Sequence, residues 1–210
     1  LSSLNSFFEY TGEFALKVKN IKIQKQIFAK NEKELTKDEY KRLLKAAKSK
    51  GNQKLFLLIQ TICATGIRVS ELKYITSEVL KDGRADVNMK GKLRVIIIPQ
   101  ELCKMLKRYA AGQKIKSGSI FVTKTGRPLD RTNIWKMMKA LCESACVDKG
   151  KVFPHNLRHL FARTFYSIEK DIVRLADILG HSSVNTTRIY TMETWEICRR
   201  QVQRLGLLRC

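Results

Sequence analysis

The 210-residue chain is short of negative charge and of histidine, and it lacks the patterns that would commit it to a metal, a nucleotide or a membrane span. Asp and Glu number 19 against 41 Lys and Arg, a formal net charge of +22. An excess of that size repels itself in a compact fold. A polyanion is the simplest partner that relieves it, and a solubilising or membrane-surface charge is the alternative. No apolar run approaches the roughly 18 residues needed to span a bilayer, and no secretory leader is visible. The cysteines (Cys63, Cys103, Cys142, Cys146, Cys198 and Cys210) form no CxxC pair and have no histidine nearby in sequence. That argues against zinc and for free thiols in a reducing cytosol. With no P-loop and no carboxylate cluster suited to Mg²⁺, neither ATP nor a metal is expected as cofactor. The chain opens on Leu1 and not on Met, which reads as a fragment or a trimmed chain.

What is present is a helical pattern. The hydrophobic content of 44% suits a packed core, and the length suits one good-sized domain with a fragment of another. Residues 1–16 read as the end of a helix, with Leu4, Phe7, Phe8 and Phe14 available for packing. The lysine-rich 17–34 stretch reads as a basic interdomain linker. A new unit, 35–192, starts on a capping-box pattern, Thr36 with Glu39. Leu55 to Ala64 is apolar all round and predicts a buried central helix, ended by Thr65-Gly66, after which Arg68 starts a short helix to Tyr74. Glu78 to Pro99 is the one convincing β segment, a small antiparallel sheet built from ADVNM, a Lys90-Gly91-Lys92 turn and LRVIII. Helices are then predicted after Pro99, over Thr132–Cys146, from Pro154 and over Ile172–Leu179, and the Val184–Tyr190 stretch follows. The 193–210 tail is amphipathic through Trp195, Cys198, Val202 and Leu205. The fold class is mainly α with a small antiparallel β-sheet, α+β, with no internal repeat.

All three histidines fall in the last third, each inside a phrase that carries a reactive or anion-binding side chain. In PHNLRHLF, His155 and Arg158 are three residues apart and share a helix face. The first turn of that helix already favours an anion, and an arginine fork beside it can take two oxygens of one phosphate. Alone, HxxR describes a core-facing histidine beside a surface arginine equally well. His159 points elsewhere and reads as structural. His181 follows Gly180 at a helix break, nine residues before Tyr190. A phenol titrates near 10, so attack on phosphorus by Tyr190 needs a base or adjacent cations. By itself Tyr190 would be a core ring.

TGIRVSEL, PHNLRHLFA and LGHSSVNTTRIY, in that order, resemble the three signature boxes of the tyrosine recombinase (phage integrase) family over residues 36–205. The resemblance implies that family's catalytic-domain fold. Residues 1–16 would then be a remnant of the family's core-binding domain and 35–192 the catalytic domain, while the apolar stripe of the 193–210 tail marks a C-terminal helix that either docks in trans on a neighbouring copy or packs on its own domain. It also implies site-specific cutting and rejoining of double-stranded DNA through a 3′-phosphotyrosyl intermediate. Tyr190 would be the nucleophile, Arg68 and Arg158 the clamp on the non-bridging oxygens, His155 the proton acceptor and His181 a hydrogen-bond donor to the phosphate. The general acid would be a hairpin lysine, Lys90 in preference to Lys92, and Glu71 would orient the arginines.

The partners implied are a duplex recombination site, further copies of the chain in a tetramer on DNA, and accessory DNA-bending or excision factors, with no membrane. The location implied is the cytoplasm, at the bacterial nucleoid when DNA is bound. A mobile-element integrase, of a conjugative transposon or prophage, is preferred on the basic composition. An Xer-like chromosome-resolution recombinase, a type IB topoisomerase-like enzyme and a catalytically inactive DNA-binding accessory protein are the competing readings.

Overall fold

The structure, a computed structural model, describes residues 2–19, 34–89, 92–123, 125–192 and 195–207. A first helix, α1 (Ser2–Tyr10), leads to a single 3-10 turn at Phe14–Leu16. Residues 20–33, most of the expected linker, lie outside the described residues. Helix α2 (Lys37–Ser49) opens on the expected capping box. Thr36 Oγ1 accepts from the Glu39 N–H at 3.1 Å, and Glu39 Oε2 accepts from the Thr36 N–H at 2.8 Å. The other oxygen of Glu39 takes Lys151 Nζ at 3.0 Å, which ties the start of α2 to a loop more than a hundred residues on.

Helix α3 (Gln53–Thr65) is the axis of the molecule. Asn52 caps it by accepting from the Leu55 N–H at 3.1 Å, and Leu55, Leu57, Leu58, Ile59 and Ile62 are buried. A helix apolar on every side must be surrounded, and α2, α4 (Gln100–Gly112) and α7 (Pro154–Glu169) pack on it. Between α3 and α4 lie a 3-10 turn, Val69–Tyr74, and the antiparallel hairpin of β1 (Arg84–Met89) and β2 (Lys92–Ile97). Ala85, Val87, Ile96 and Ile98 are buried, whereas Leu93, Val95 and Ile97 on the alternate face of β2 are exposed. The expected helix over Thr132–Cys146 is two: α5 (Arg131–Lys139) and α6 (Cys142–Ala145). The chain tightens there, with the Leu141 N–H bonded to the Met138 carbonyl at 3.1 Å. The stripe Ile134, Met138, Leu141 and Ala145 is buried across the break.

Pro154 opens α7 as expected of a first helical residue, and Asp171 caps α8 (Ile172–Leu179), which Gly180 ends. The stretch Val184–Tyr190 divides into α9 (Val184–Thr187) and a 3-10 turn, Arg188–Tyr190. A small second cluster forms where α7 and α8 meet that turn: Ala162, Leu175, Leu179 and Tyr190, backed by Phe161 and Phe165. Helix α10 (Trp195–Gln203) follows with Trp195, Ile197 and Val202 exposed. Among the described residues no helix is long and apolar enough to cross a membrane.

Gly66 fixes how closely α3 and α7 approach. It ends α3 at φ +63°, and a Cβ there would stand 2.4 Å from the Phe161 ring on α7. Gly66→Ala should therefore destabilise by about 2–4 kcal/mol, combining ~1–2 kcal/mol of left-handed backbone strain with ~1–3 kcal/mol of overpacking. Denaturant unfolding measures this. A loss below about 0.5 kcal/mol, the range of a neutral surface change, would mean that the two helices can separate at no cost.

Candidate active site

Three elements converge at the C-terminal end of α8, and each brings an arginine. Arg158 projects from α7 and is 2% exposed. Its Nη1 donates to the Gly66 carbonyl at 2.6 Å and its Nη2 to the Leu179 carbonyl at 2.7 Å. Arg68, on the residue that opens the 3-10 turn after Gly66, donates through Nη2 to the Gly180 carbonyl at 3.2 Å. Arg94, on β2, donates through Nε and Nη2 to the Ile178 carbonyl at 3.0 and 2.6 Å. Three consecutive carbonyls, 178 to 180, thus each hold a different arginine. A helix C-terminus has unpaired carbonyls and the negative end of the dipole, so guanidinium donors suit it.

The charges do not balance. Glu71 is 2% exposed and is the carboxylate shared by two of the three: Oε1 takes Arg68 Nη1 at 2.9 Å and Oε2 takes Arg94 Nη1 at 2.7 Å. The Arg68 backbone N–H also donates to Glu71 Oε2, at 2.8 Å. Burial, followed by repulsion from Arg68 and Arg94, pulls the Arg158 guanidinium down to about 10, against an opposing pull from Tyr190. It remains a cation at neutral pH. Arg94 is lowered by burial first, with Glu71 opposing. The cluster has a place for a further anion.

The histidines and Tyr190 lie against this cluster as a chain of rings. His155, exposed near the start of α7, meets His159 edge-on at 4.6 Å. His159 meets Tyr190 edge-on at 4.7 Å, and Tyr190 stacks with His181 at 6.0 Å and 15°. Tyr190 is 4% exposed. His181 Nε2 lies 3.0 Å from Arg158 Nη2, and its Nδ1 lies 2.7 Å from the buried Thr187 hydroxyl. Arginine can only donate, so Nε2 accepts and Nδ1 carries the proton toward Thr187 Oγ1. A cavity of about 970 Å³ opens beside the rings, lined by Arg68, His155, Arg158, His181 and Tyr190 together with Lys73, Arg131 and Trp135.

The sequence pattern of the phage integrase family matches residues 33–196. Tyrosine recombinase XerA of Pyrococcus furiosus is 32% identical over 218 residues, covering 99% of this chain and 73% of that protein. The chain belongs to the tyrosine recombinase (phage integrase) family. The crystal structure of a XerA recombinase superposes with a TM-score of 0.69 at 26% identity, over 99% of this chain and 74% of that one. The Tn1549 transposon integrase in complex with circular intermediate DNA superposes with a TM-score of 0.71 at 19% identity, over 98% and 78%, a likeness of fold.

Of the six site residues expected from the family resemblance, the five in the boxes, Arg68, His155, Arg158, His181 and Tyr190, line one cavity. Lys90 lies outside the described residues, as do Gly91 and the side chain of Lys92. Among the described residues no group of three or more His, Cys, Asp or Glu side chains is arranged to hold a metal ion. Two contacts add to the sequence reading. His159, read as structural, also packs directly on the Tyr190 ring, and its buried Nδ1 has no hydrogen-bond partner among the described residues. The inner nitrogen of His181 accepts from Arg158 in this state.

Arg94 was missed altogether, because LRVIII is apolar on both faces and offers no contrast. The usable signal lay in the other strand. ADVNM turns Ala85 and Val87 inward, and the strand register pairs Val87 with Arg94, placing an arginine on the buried face.

Burial first, and then neighbouring cations, depress His159 and His181 to about 4, from an ordinary value near 6.5. For His159 the neighbours are His155 and Arg158, and for His181 they begin with Arg158 and Arg68. Between those values the unfolded chain binds protons that the folded chain does not. Stability is therefore fully present above about 6.5 and is lost as pH falls toward about 4. His159→Phe keeps a ring against Tyr190 and removes one of these groups. The drop in melting temperature from about pH 7 to about pH 5 should be smaller in H159F than in the parent. An equal drop would show that His159 does not carry this linkage.

Proposed function

We propose that this tyrosine recombinase binds duplex DNA at a specific site and cuts and rejoins its strands through Tyr190. The observation that carries the reading is the burial of the Tyr190 phenol beside Arg158 and His181, in a cluster with more guanidinium than carboxylate. In the proposed step the Tyr190 oxygen attacks the scissile phosphorus and its proton passes to His155. The bond from phosphorus to the 5′ oxygen breaks, and that oxygen takes a proton from Lys90 to leave as a 5′-hydroxyl. A 3′-phosphotyrosyl link remains, and attack by a 5′-hydroxyl reverses the step. Arg68 and Arg158 stabilise the charge that builds on the non-bridging oxygens. The ring order makes His159 a relay or packing neighbour between the phenol and His155, whose own basicity is lowered by burial first and then by Arg158.

The net charge of +22 supports DNA as the partner, through neutralisation of phosphates. The Tn1549 neighbour, of the same fold, is bound to DNA. The finer reading remains a mobile-element integrase. Chromosome resolution is the second reading, and the similarity to XerA favours it. Excision of a segment that contains the gene itself, found by sequencing across its flanks, decides for the first, and intact flanks decide for the second.

The reading is tested with a suicide DNA substrate that traps the covalent link, resolved on a denaturing gel. The wild-type chain should form an adduct. Tyr190→Phe should abolish it while leaving DNA affinity within about twofold, because the substitution removes one hydroxyl and no phosphate-binding cation. An adduct surviving in Y190F moves the nucleophile elsewhere, and cognate binding without any wild-type adduct makes the protein an accessory factor.

We propose in addition that residues 1–16 belong to a preceding core-binding domain and that the 193–210 tail docks on a neighbouring copy in a tetramer. The exposed Trp195, Ile197 and Val202 of α10 support the second point. A chain truncated after Met192 should lose assembly on DNA and cleave more slowly. Unchanged assembly and cleavage would assign the tail no role in either.

A further inference from the structure

The geometry points to Arg94 as the positioning residue that holds Arg68 in its phosphate-binding pose. This rests on the proposed role of Arg68 as a clamp on the non-bridging oxygens. Arg68 is the least enclosed of the three arginines, with a side chain 42% exposed, so its direction is set by what its terminal nitrogens bind. One binds Glu71 Oε1 and the other the Gly180 carbonyl. Arg94 controls both anchors. Its Nη1 holds the opposite oxygen of Glu71 at 2.7 Å, while its Nε and Nη2 hold the Ile178 carbonyl, two residues before Gly180.

The stem of Arg94 is also built into this turn. A Cβ on Gly180 would stand 2.4 Å from Arg94 Cδ, so the glycine that ends α8 at φ +64° leaves the space in which Arg94 runs. The side chain of Arg94 is 7% exposed, and Arg94 does not line the cavity beside Tyr190. It lines a neighbouring cavity with Arg68, Gly180 and His181, and its link to the cavity beside Tyr190 runs through Arg68 and the turn before His181.

Charge points the same way. If Glu71 paired with Arg68 alone, the carboxylate would neutralise the clamp. Because Arg94 shares that carboxylate in a buried setting, the pair of arginines keeps a net positive charge facing the cavity. Lysine cannot substitute fully, since a single ammonium lacks the fork that joins Glu71 to the Ile178 carbonyl.

A double-mutant cycle on full-length protein tests the assignment. Single-turnover cleavage would be read on a suicide substrate carrying sulfur in place of the 5′-bridging oxygen. The sulfur leaves without a general acid, so rates stay measurable in weakened variants and any effect through Lys90 is removed. Arg94→Gln should slow cleavage about 10–100-fold in the presence of Arg68. In an Arg68→Ala background the same change should cost less than about threefold, because the residue it acts through is gone. Arg94→Lys should recover part of the loss.

Equal losses in both backgrounds, or no loss in either, overturn the assignment. So does the disappearance of cooperative thermal unfolding in both R94Q and R94K, which would make Arg94 a residue of the fold alone. If the wild-type chain forms no adduct, the cleavage reading itself fails. If it does and the cycle is additive, only the role of Arg94 fails.

Discussion

The end of α8 is the constraint on which the rest of this structure depends. Three successive carbonyls, of Ile178, Leu179 and Gly180, accept from Arg94, Arg158 and Arg68, side chains drawn from a hairpin, a helix and a 3-10 turn. A helix C-terminus leaves such carbonyls unpaired, and burial makes an unpaired acceptor costly. Three buried or half-buried guanidinium groups are costly in the same way. Each set satisfies the other, so the arginines are aimed before any substrate arrives. The two glycines make this closeness possible: Gly66 lets α7 reach α3, and Gly180 lets the stem of Arg94 pass the end of α8.

The same convergence explains why Tyr190 is so enclosed. It sits in a small cluster with Ala162, Leu175 and Leu179, apart from the main core around α3. Leu179 supplies both an apolar side chain to that cluster and a carbonyl to Arg158. Packing of the phenol and aiming of the arginine are therefore set by one residue at one helix end. A shift of α8 would disturb the Tyr190 phenol and the Arg158 guanidinium together. Preorganisation of this kind is what electrostatic catalysis needs, since donors already in place cost no reorganisation when charge develops.

Much of this was legible in the chain. The capping box of Thr36 and Glu39, the all-round apolar run of α3 and the glycine ends of α3 and α8 are local signals read from residues a few places apart. Arg68 and His181 stood out because each follows a glycine at a helix break, whereas Arg158 and Tyr190 took their roles from the resemblance to the family boxes. Other features depended on contacts distant in sequence. The break between α5 and α6 leaves the apolar spacing intact, so periodicity cannot see it. Arg94 was hidden because β2 is apolar on both faces and its inward side is defined only by pairing with Val87. His159 was set aside on helix-face arithmetic, yet the 3-10 turn at Arg188–Tyr190 brings the phenol to it. The identity of a carbonyl as partner, as at residues 66 and 178 to 180, leaves no mark in side-chain sequence.

His181 shows how charge and protonation are coupled in this cluster. With only arginine donors near its inner nitrogen, the imidazole must accept, and burial together with those cations keeps it neutral down to about pH 4. A phosphate in the cavity would reverse both conditions. It offers oxygens to Arg158 and Arg68, whose terminal nitrogens each carry a second N–H, and its negative charge offsets the repulsion that depresses the histidine. The inner nitrogen of His181 could then hold a proton and donate it in a hydrogen bond to an oxygen. The acceptor seen in this state and the donor expected from the family boxes are two protonation states of one residue. Under the proposed reading a bound anion would select between them, most strongly when its oxygens carry the most charge.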